Sequence, residues 1–244
     1  MTAALAVRGL VAGYDRSVVI DGLDLEVGDG ATAVVIGPNG HGKTTLLRAV
    51  SGLIKPFRGE VELAGERIDG LAAEAIARKG IVHVMQGDGL FVEMTVEENL
   101  LMGAFPGGSW RGRRAALKRV YSELPAVEER KAHKARTLSG GERRLVGLGR
   151  GMMRPGRLLL IDEPSLGLAP VAIDAVYAVI RRLRSEASSA VVLIEENFTH
   201  VGGVADVVHI LEAGRIVRSG PYAELAADRT VVETYLGSIA EAPS

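Results

Sequence analysis

The chain has 244 residues, 29 basic against 30 acidic side chains, no cysteine and 47% hydrophobic content. That length suits one large domain or one domain with an inserted lobe, burying roughly 70–75% of the unfolded surface. The absence of cysteine excludes a disulfide framework, a thiolate metal site and a thiol nucleophile. A formal net charge of -1 supplies no global field for nucleic acid or acidic lipid.

Mean hydropathy is slightly positive, so a membrane span has to be tested. The longest apolar stretches, residues 31–36, 100–105, 158–161 and 190–194, fall far short of the roughly 20 residues a spanning helix needs. The start, MTAALAVRGL, lacks a basic n-region and a long apolar h-region, so no signal peptide is expected. A cytoplasmic location follows, with any membrane role exercised by docking to another protein.

In chain order, weak alternation at residues 5–7, 18–20 and 23–27 predicts a small antiparallel sheet. Residues 31–36 are a buried β-branched run stopped by Gly37-Pro38-Asn39-Gly40, which reads as a parallel strand running into a loop. Helical spacing of Leu46, Leu47, Val50 and Leu53 predicts a helix over 43–53. Residues 87–155 hold little β pattern, much helix former and breaks at Pro106-Gly107-Gly108 and Pro125, and predict a helical lobe. Buried strands follow at 157–162, 190–194 and 207–211. Between them a helix over 170–184 is expected to put Val171, Ala175, Ala178, Val179 and Leu183 on one side. The fold class is therefore α/β: a mostly parallel sheet covered by helices, a small antiparallel β subdomain and an inserted helical lobe. One domain over 1–244 is expected, with 1–86 and 156–244 as the core and 87–155 as the lobe.

The strongest chemical signal is Gly37-Pro-Asn-Gly-His-Gly-Lys43-Thr44, a G-x-x-x-x-G-K-[ST] loop between a predicted strand and a predicted helix. Gly37, Asn39, Gly40, His41 and Gly42 let successive N–H groups converge on phosphate oxygens. Lys43 reaches the terminal phosphates, the Thr44 hydroxyl can ligate Mg²⁺, and Thr45 opens the helix beside it. ATP and Mg²⁺ are the expected ligands. A second apolar strand ends in Asp162-Glu163; adjacent strand residues face opposite sides, so Asp162 is assigned the metal and Glu163 the attacking water. Leu138-Ser139-Gly140-Gly141-Glu142 has two readings, a capping box at a helix start and an anion site made by that helix end.

A phosphate loop, then Gln86 after a strand, then Leu-Ser-Gly-Gly-Glu, then a strand ending Asp-Glu-Pro resembles, in that order, the ATP-binding subunit of an ABC transporter, over nearly the whole chain. The resemblance implies that Tyr14 stacks on adenine, and that Gln86 links the γ-phosphate and Mg²⁺ to the helical lobe. It also implies that two such domains pair head to tail, each ATP lying between Lys43 and Thr44 of one and Ser139, Gly140 and Gly141 of the other. Thr95-Val-Glu-Glu-Asn-Leu, Glu163-Pro-Ser-Leu-Gly-Leu-Ala-Pro170, Ile194-Glu-Glu-Asn197 and Glu233-Thr-Tyr-Leu-Gly237 are similar to the shorter ATPase of branched-chain amino-acid and related urea or amide uptake systems. Such a protein would energise solute uptake on the inner face of the cell membrane. Its partners would be integral-membrane permeases, a second ATPase subunit in a homo- or heterodimer and, indirectly, an extracytoplasmic solute-binding protein.

Three positions depart from the pattern. Glu196 stands where many relatives carry a histidine donating to the γ-phosphate; an ionised carboxylate there repels phosphate and predicts slower or partner-dependent hydrolysis. His41 stands where Ala or Ser is usual and reads as solvent-facing. Ala169 replaces an aspartate common in relatives. His200, one turn after Glu196, reads as a lone surface histidine with a possible substitute role. The basic run 111–119 beside Trp110 reads as a solvated helical face, with no nucleic-acid partner expected. Competing functions are a soluble ATPase of DNA repair or translation, which would carry a coiled coil or a second ATPase domain, and a non-hydrolytic ATP-binding subunit.

Overall fold

The computed structural model describes residues 3–87, 89–105, 110–186 and 189–235. Two long strands, β1 (Ala3–Tyr14), buried in two continuous runs, and β2 (Ser17–Gly28), whose burial alternates, form an antiparallel hairpin. β4 (Arg58–Leu63) pairs with the other side of β1, and β5 (Glu66–Arg67) closes a four-stranded sheet of order β2-β1-β4-β5. The runs expected at residues 18–20 and 23–27 form a single strand; Gly22, at φ 71, lets β2 bend without ending.

The second sheet has order β10-β9-β3-β8-β7-β6. Strands β3 (Thr32–Ile36), β6 (Ile81–Val84), β7 (Leu158–Asp162), β8 (Ala190–Glu195) and β9 (Val207–Glu212) are parallel, and β10 (Arg215–Gly220) returns antiparallel along one edge. Their near-continuous apolar runs suit strands covered on both faces. Ala33, Val35, Leu160 and Val192 face the antiparallel sheet and helix α1 (Lys43–Val50), while Val34, Ile36, Ile161 and Leu193 face the helices opposite. Each fully buried aliphatic side chain in these layers contributes roughly 1.5–3 kcal/mol. The α/β class with a separate antiparallel sheet is as expected.

Helix α2 (Ala73–Arg78) precedes β6, and four helices lie between β6 and β7: α3 (Val96–Met102), α4 (Arg113–Glu123), α5 (Pro125–Glu129) and α6 (Gly140–Met152). α7 (Pro170–Glu186) crosses from β7 to β8, and α8 (Tyr222–Ala227) and α9 (Arg229–Tyr235) follow β10. Two helix expectations need correction. α1 stops at Val50 because Gly52, at φ 73, turns the chain, and Leu53 is left half exposed. α7 buries Val176, Tyr177, Val179 and Ile180, whereas Val171 is 82% exposed and Ala175 is also exposed. The α7 start runs beside the N-terminus of α6, where a Cβ added to Gly141 would lie 2.7 Å from Ala172 Cβ. Among the described residues no helix is long and apolar enough to cross a membrane.

Asn99 of α3 fixes the path into the helical insertion. It is fully buried, its Oδ1 accepts from Phe91 N at 2.8 Å, and its Nδ2 donates to Phe91 O and Thr95 O at 3.0 and 2.9 Å. Asn99→Leu keeps the branched side-chain skeleton and removes the partners of the Phe91 N–H and C=O groups. We expect a loss of about 2–4 kcal/mol in urea denaturation; an unchanged midpoint would refute this role.

Candidate functional site

The parallel strands β3, β7 and β8 all end on one side, and their registers align Ile36 with Glu195 and Asp162 with Ile194. The chain that leaves each strand therefore meets the others: Gly37 after β3, Glu163 after β7, Glu196 after β8. Ligands of such sheets gather at these carboxyl ends.

The loop after β3 is shaped by glycine. A Cβ on Gly37 would lie 2.1 Å from Leu211 O, and Gly42 sits at φ 106 with Ile20 against it. Gly40, at φ 82, faces open space. Gly42 supplies no side-chain cap, so the first N–H groups of α1 are left for an anion. Asn39 and Gly40 are exposed, and Thr45 is buried.

Lys43 is 4% exposed. Its Nζ donates to Gly37 O at 2.7 Å and Pro38 O at 3.2 Å, and pairs with Glu163 Oε1 at 3.2 Å. Gln86 Nε2 donates to the other oxygen of Glu163 at 2.7 Å. Thr44 Oγ1 donates to Asp162 Oδ1 at 3.2 Å. One constellation thus joins Lys43, Thr44, Gln86, Asp162 and Glu163, with the two acids facing different partners. Glu163 adopts φ 44, a left-handed backbone that costs a non-glycine residue about 1–2 kcal/mol. Its N–H donates to Ile194 O at 3.0 Å, which holds that turn against β8.

Burial pushes the Asp162 carboxyl up to about 6, against the opposing hydrogen bond from Thr44. Glu195, 1% exposed, is also raised by burial, and the donors Ser165 Oγ at 2.8 Å and Ser165 N at 3.1 Å oppose this. Glu196 is half-buried, and only its backbone N–H is engaged, at 3.3 Å from Glu195 Oε2.

Other sequence-derived positions lie further out. Tyr14 is 41% exposed at the end of β1, its hydroxyl accepting from Arg48 of α1 at 3.0 Å. His41 is half-buried rather than solvent-facing. Its Nδ1 accepts from Ala213 N at 3.3 Å and its carbonyl from Gly214 N at 3.1 Å, tying the loop to the β9–β10 turn. His200 packs 5.8 Å from the Tyr177 ring and bonds nothing in the constellation. Ser139 caps α6 in a full capping box: its Oγ accepts from Glu142 N, and Glu142 returns to Ser139 N at 2.7 Å. A Cβ on Gly140 would meet Leu168 and one on Gly141 would meet Ala172, and among the described residues none of Ser139, Gly140 and Gly141 bonds to the Lys43 constellation.

Sequence reading missed two arginines of α6. Arg144, 6% exposed, donates to Gly87 O and to Leu166 O, and Arg150 donates to Gly89 O at 2.8 Å. They tie α6 to the segment after Gln86 and to the turn after Glu163. A buried guanidinium on the inward side of α6 was the available signal, since such a group needs backbone partners.

The chain matches the family described as ABC transporter over residues 20–166. It is 37% identical over 224 residues to the high-affinity branched-chain amino acid transport ATP-binding protein BraG of Pseudomonas aeruginosa, covering 92% of this chain and 95% of that protein. It is 32% identical to the probable branched-chain amino acid transport ATP-binding protein LivF of Archaeoglobus fulgidus, over 88% of this chain and 91% of that one. A nucleotide-free ATP-binding cassette from an ABC transporter superposes with a TM-score of 0.83 at 26% identity, over 97% of this chain and all of that chain. The ADP conformation of another such cassette gives 0.84 at 27%, with the same coverage.

The Asp162 environment makes a signed prediction. A carboxyl raised in the folded state binds more protons folded than unfolded, so its contribution to stability falls as pH rises through about 4 to 6. Nucleotide-free Asp162→Asn should therefore be more stable than wild type at pH 7, by about 1–3 kcal/mol, with the gap closing toward pH 4. Thermal melts across that range check it; an Asn variant less stable at pH 7 would contradict the assignment.

Proposed function

The chain belongs to the ABC transporter family, and from that premise we propose that it is the ATP-hydrolysing subunit of a branched-chain amino-acid uptake system, peripheral on the cytoplasmic face of the membrane. The observation that carries the reading is the buried Lys43–Glu163–Gln86 contact beside Thr44–Asp162, at the end of strands built as in ATP-binding cassettes. The overall similarity to BraG supports the cargo class.

In this reading ATP lies on the loop 37–42, its terminal phosphates taking the place of the Glu163 carboxylate beside Lys43. That exchange frees Glu163, still held by its strained turn, to orient and deprotonate the attacking water. Thr44 and Asp162 would hold Mg²⁺. Among the described residues no three His, Cys, Asp or Glu side chains cluster, and one carboxylate plus one hydroxyl suits an ion held otherwise by phosphates and water. When bound, the ion neutralises phosphate charge. Tyr14, at the edge of β1 and half exposed, is available to stack on adenine.

Ser139, Gly140 and Gly141 would serve a second subunit. That none of them bonds to the Lys43 constellation among the described residues suits a head-to-tail pair, in which the exposed α6 N-terminus meets the partner's γ-phosphate. The helical insertion 87–155 would then move as a lobe, with Gln86 reporting occupancy through Gly87 and Gly89 to Arg144 and Arg150. Leu53, Met85, Phe91 and Met102 are exposed along a groove between the core and α3. A cytoplasmic helix of the permease would dock there, and the solute-binding protein would act only through that permease.

Glu196 favours a second reading, in which this subunit contributes ATP binding to a heterodimer and hydrolyses slowly itself. No group of the described residues donates to its side chain, so repulsion of the γ-phosphate is uncompensated.

Turnover of purified protein tests the role directly. Glu163→Gln should lower kcat by about 10²–10⁴ with ATP still bound, and trap an ATP-bound dimer; full activity in the variant would refute the assignment. Glu196→Gln should raise steady-state turnover several-fold, and an equal or lower rate would count against the repulsion argument. Uptake of leucine against urea by the reconstituted system separates the cargo classes.

A further inference from the structure

The basic run in the helical insertion differs from its surroundings. Most basic side chains along the return path to α6 are paired: Arg130 with Glu142, Lys131 with Glu128, Lys134 with Glu93. Arg114 and Lys118 are exposed one turn apart on α4, Arg111 is exposed just before that helix, and none of the three forms an ion pair with a described residue. Arg119 is also exposed, but its guanidinium donates to Met152 O at 3.0 Å.

Two exposed aromatics stand beside these cations. Phe105 is 70% exposed and Trp110 44%, with ring centroids 6.3 Å apart in an edge arrangement. Arg113 lies 4.2 Å over the Trp110 ring and donates to Trp110 O at 2.8 Å, which fixes the indole where it stands. A pair of rings held out in solvent is costly unless something covers it. The pair is also near the apolar groove in the chain, because Met102 and Gly103 at the end of α3 line that groove and Phe105 stands two residues after Gly103.

We propose that this face rests on the anionic phospholipid surface next to the permease, with Phe105 and Trp110 at headgroup level and Arg111, Arg114 and Lys118 over the phosphates. Amphipathic rings flanked by cations and without acids have the chemistry of that interface. The neutral balance of the whole chain does not oppose it, since attraction to a charged surface acts within about 8–10 Å and is decided by the local patch. Removing one such cation weakens binding roughly fivefold, so the three together account for about a hundredfold. Contact with lipid would add to permease docking by raising the effective concentration at the groove.

The inference goes beyond the proposed transport role, and vesicles without permease test it alone, so its failure would leave that role untouched. Trp110 is the single tryptophan, and its emission reads the contact without a label. Titration with vesicles of phosphatidylglycerol and phosphatidylcholine should shift the emission to the blue and co-sediment the protein, both reversed by 0.5 M salt. Pure phosphatidylcholine should do neither. An Arg111→Gln, Arg114→Gln, Lys118→Gln variant, on exposed positions outside the nucleotide constellation, should lose the binding about a hundredfold and still bind ATP. An unshifted emission, equal binding to both vesicle types, or full binding by the triple variant would overturn the proposal. So would loss of permease association by the triple variant without any vesicle binding by wild type, which would make this face a protein contact.

Discussion

A lysine ammonium almost withdrawn from water sets the terms for the rest of the site. Lys43 lies between two backbone carbonyls and one carboxylate, and its side chain and that of Glu163 are 3% and 4% exposed. Such a pair repays its desolvation only with further hydrogen bonds, and Gln86 supplies one to Glu163. In the proposed reading, the groups that hold Glu163 in the nucleotide-free chain are the ones a triphosphate would claim. Phosphate oxygens would then compete with the carboxylate for Lys43, and ligand binding and release of Glu163 would be two sides of one exchange.

This exchange has a route outward. Gln86 leads into Gly87 and Gly89, whose carbonyls are held by Arg144 and Arg150 of α6, and Arg144 also reaches Leu166 in the turn after Glu163. Two loops of the core and the helix that begins at Ser139 thus share one buried guanidinium. On the β8 side the adjacent acids divide the work differently. Glu195 is absorbed into Ser165 and serves the turn, and Glu196 at the mouth has no partner for its side chain among the described residues.

Much of this was legible in the sequence because its causes are local. The strands 31–36, 157–162 and 190–194 are short apolar runs ended by turn residues, and the glycines of the loop after β3 announce a backbone only they can follow. The Thr95 and Ser139 capping boxes are likewise written within four residues. The buried stripe of α7 differs from the expectation because a helix of small and apolar residues carries several candidate stripes, and only tertiary packing selects among them. Position 41 was misread for a similar reason, since the turn that engages its imidazole lies 172 residues away. The β4 and β10 strands carry too much charge to stand out and form because β1 and β9 offer them an edge. Arg144 needed a fold before its partners existed.

The most direct test is the equilibrium affinity of the purified chain for Mg·ATP, compared between wild type and Lys43→Met with folding monitored in parallel. Loss of the ammonium should weaken binding by roughly a hundredfold while the chain remains folded, since the phosphates lose their buried counter-charge. A Lys43→Met protein that binds ATP within threefold of wild type would contradict the account at its centre.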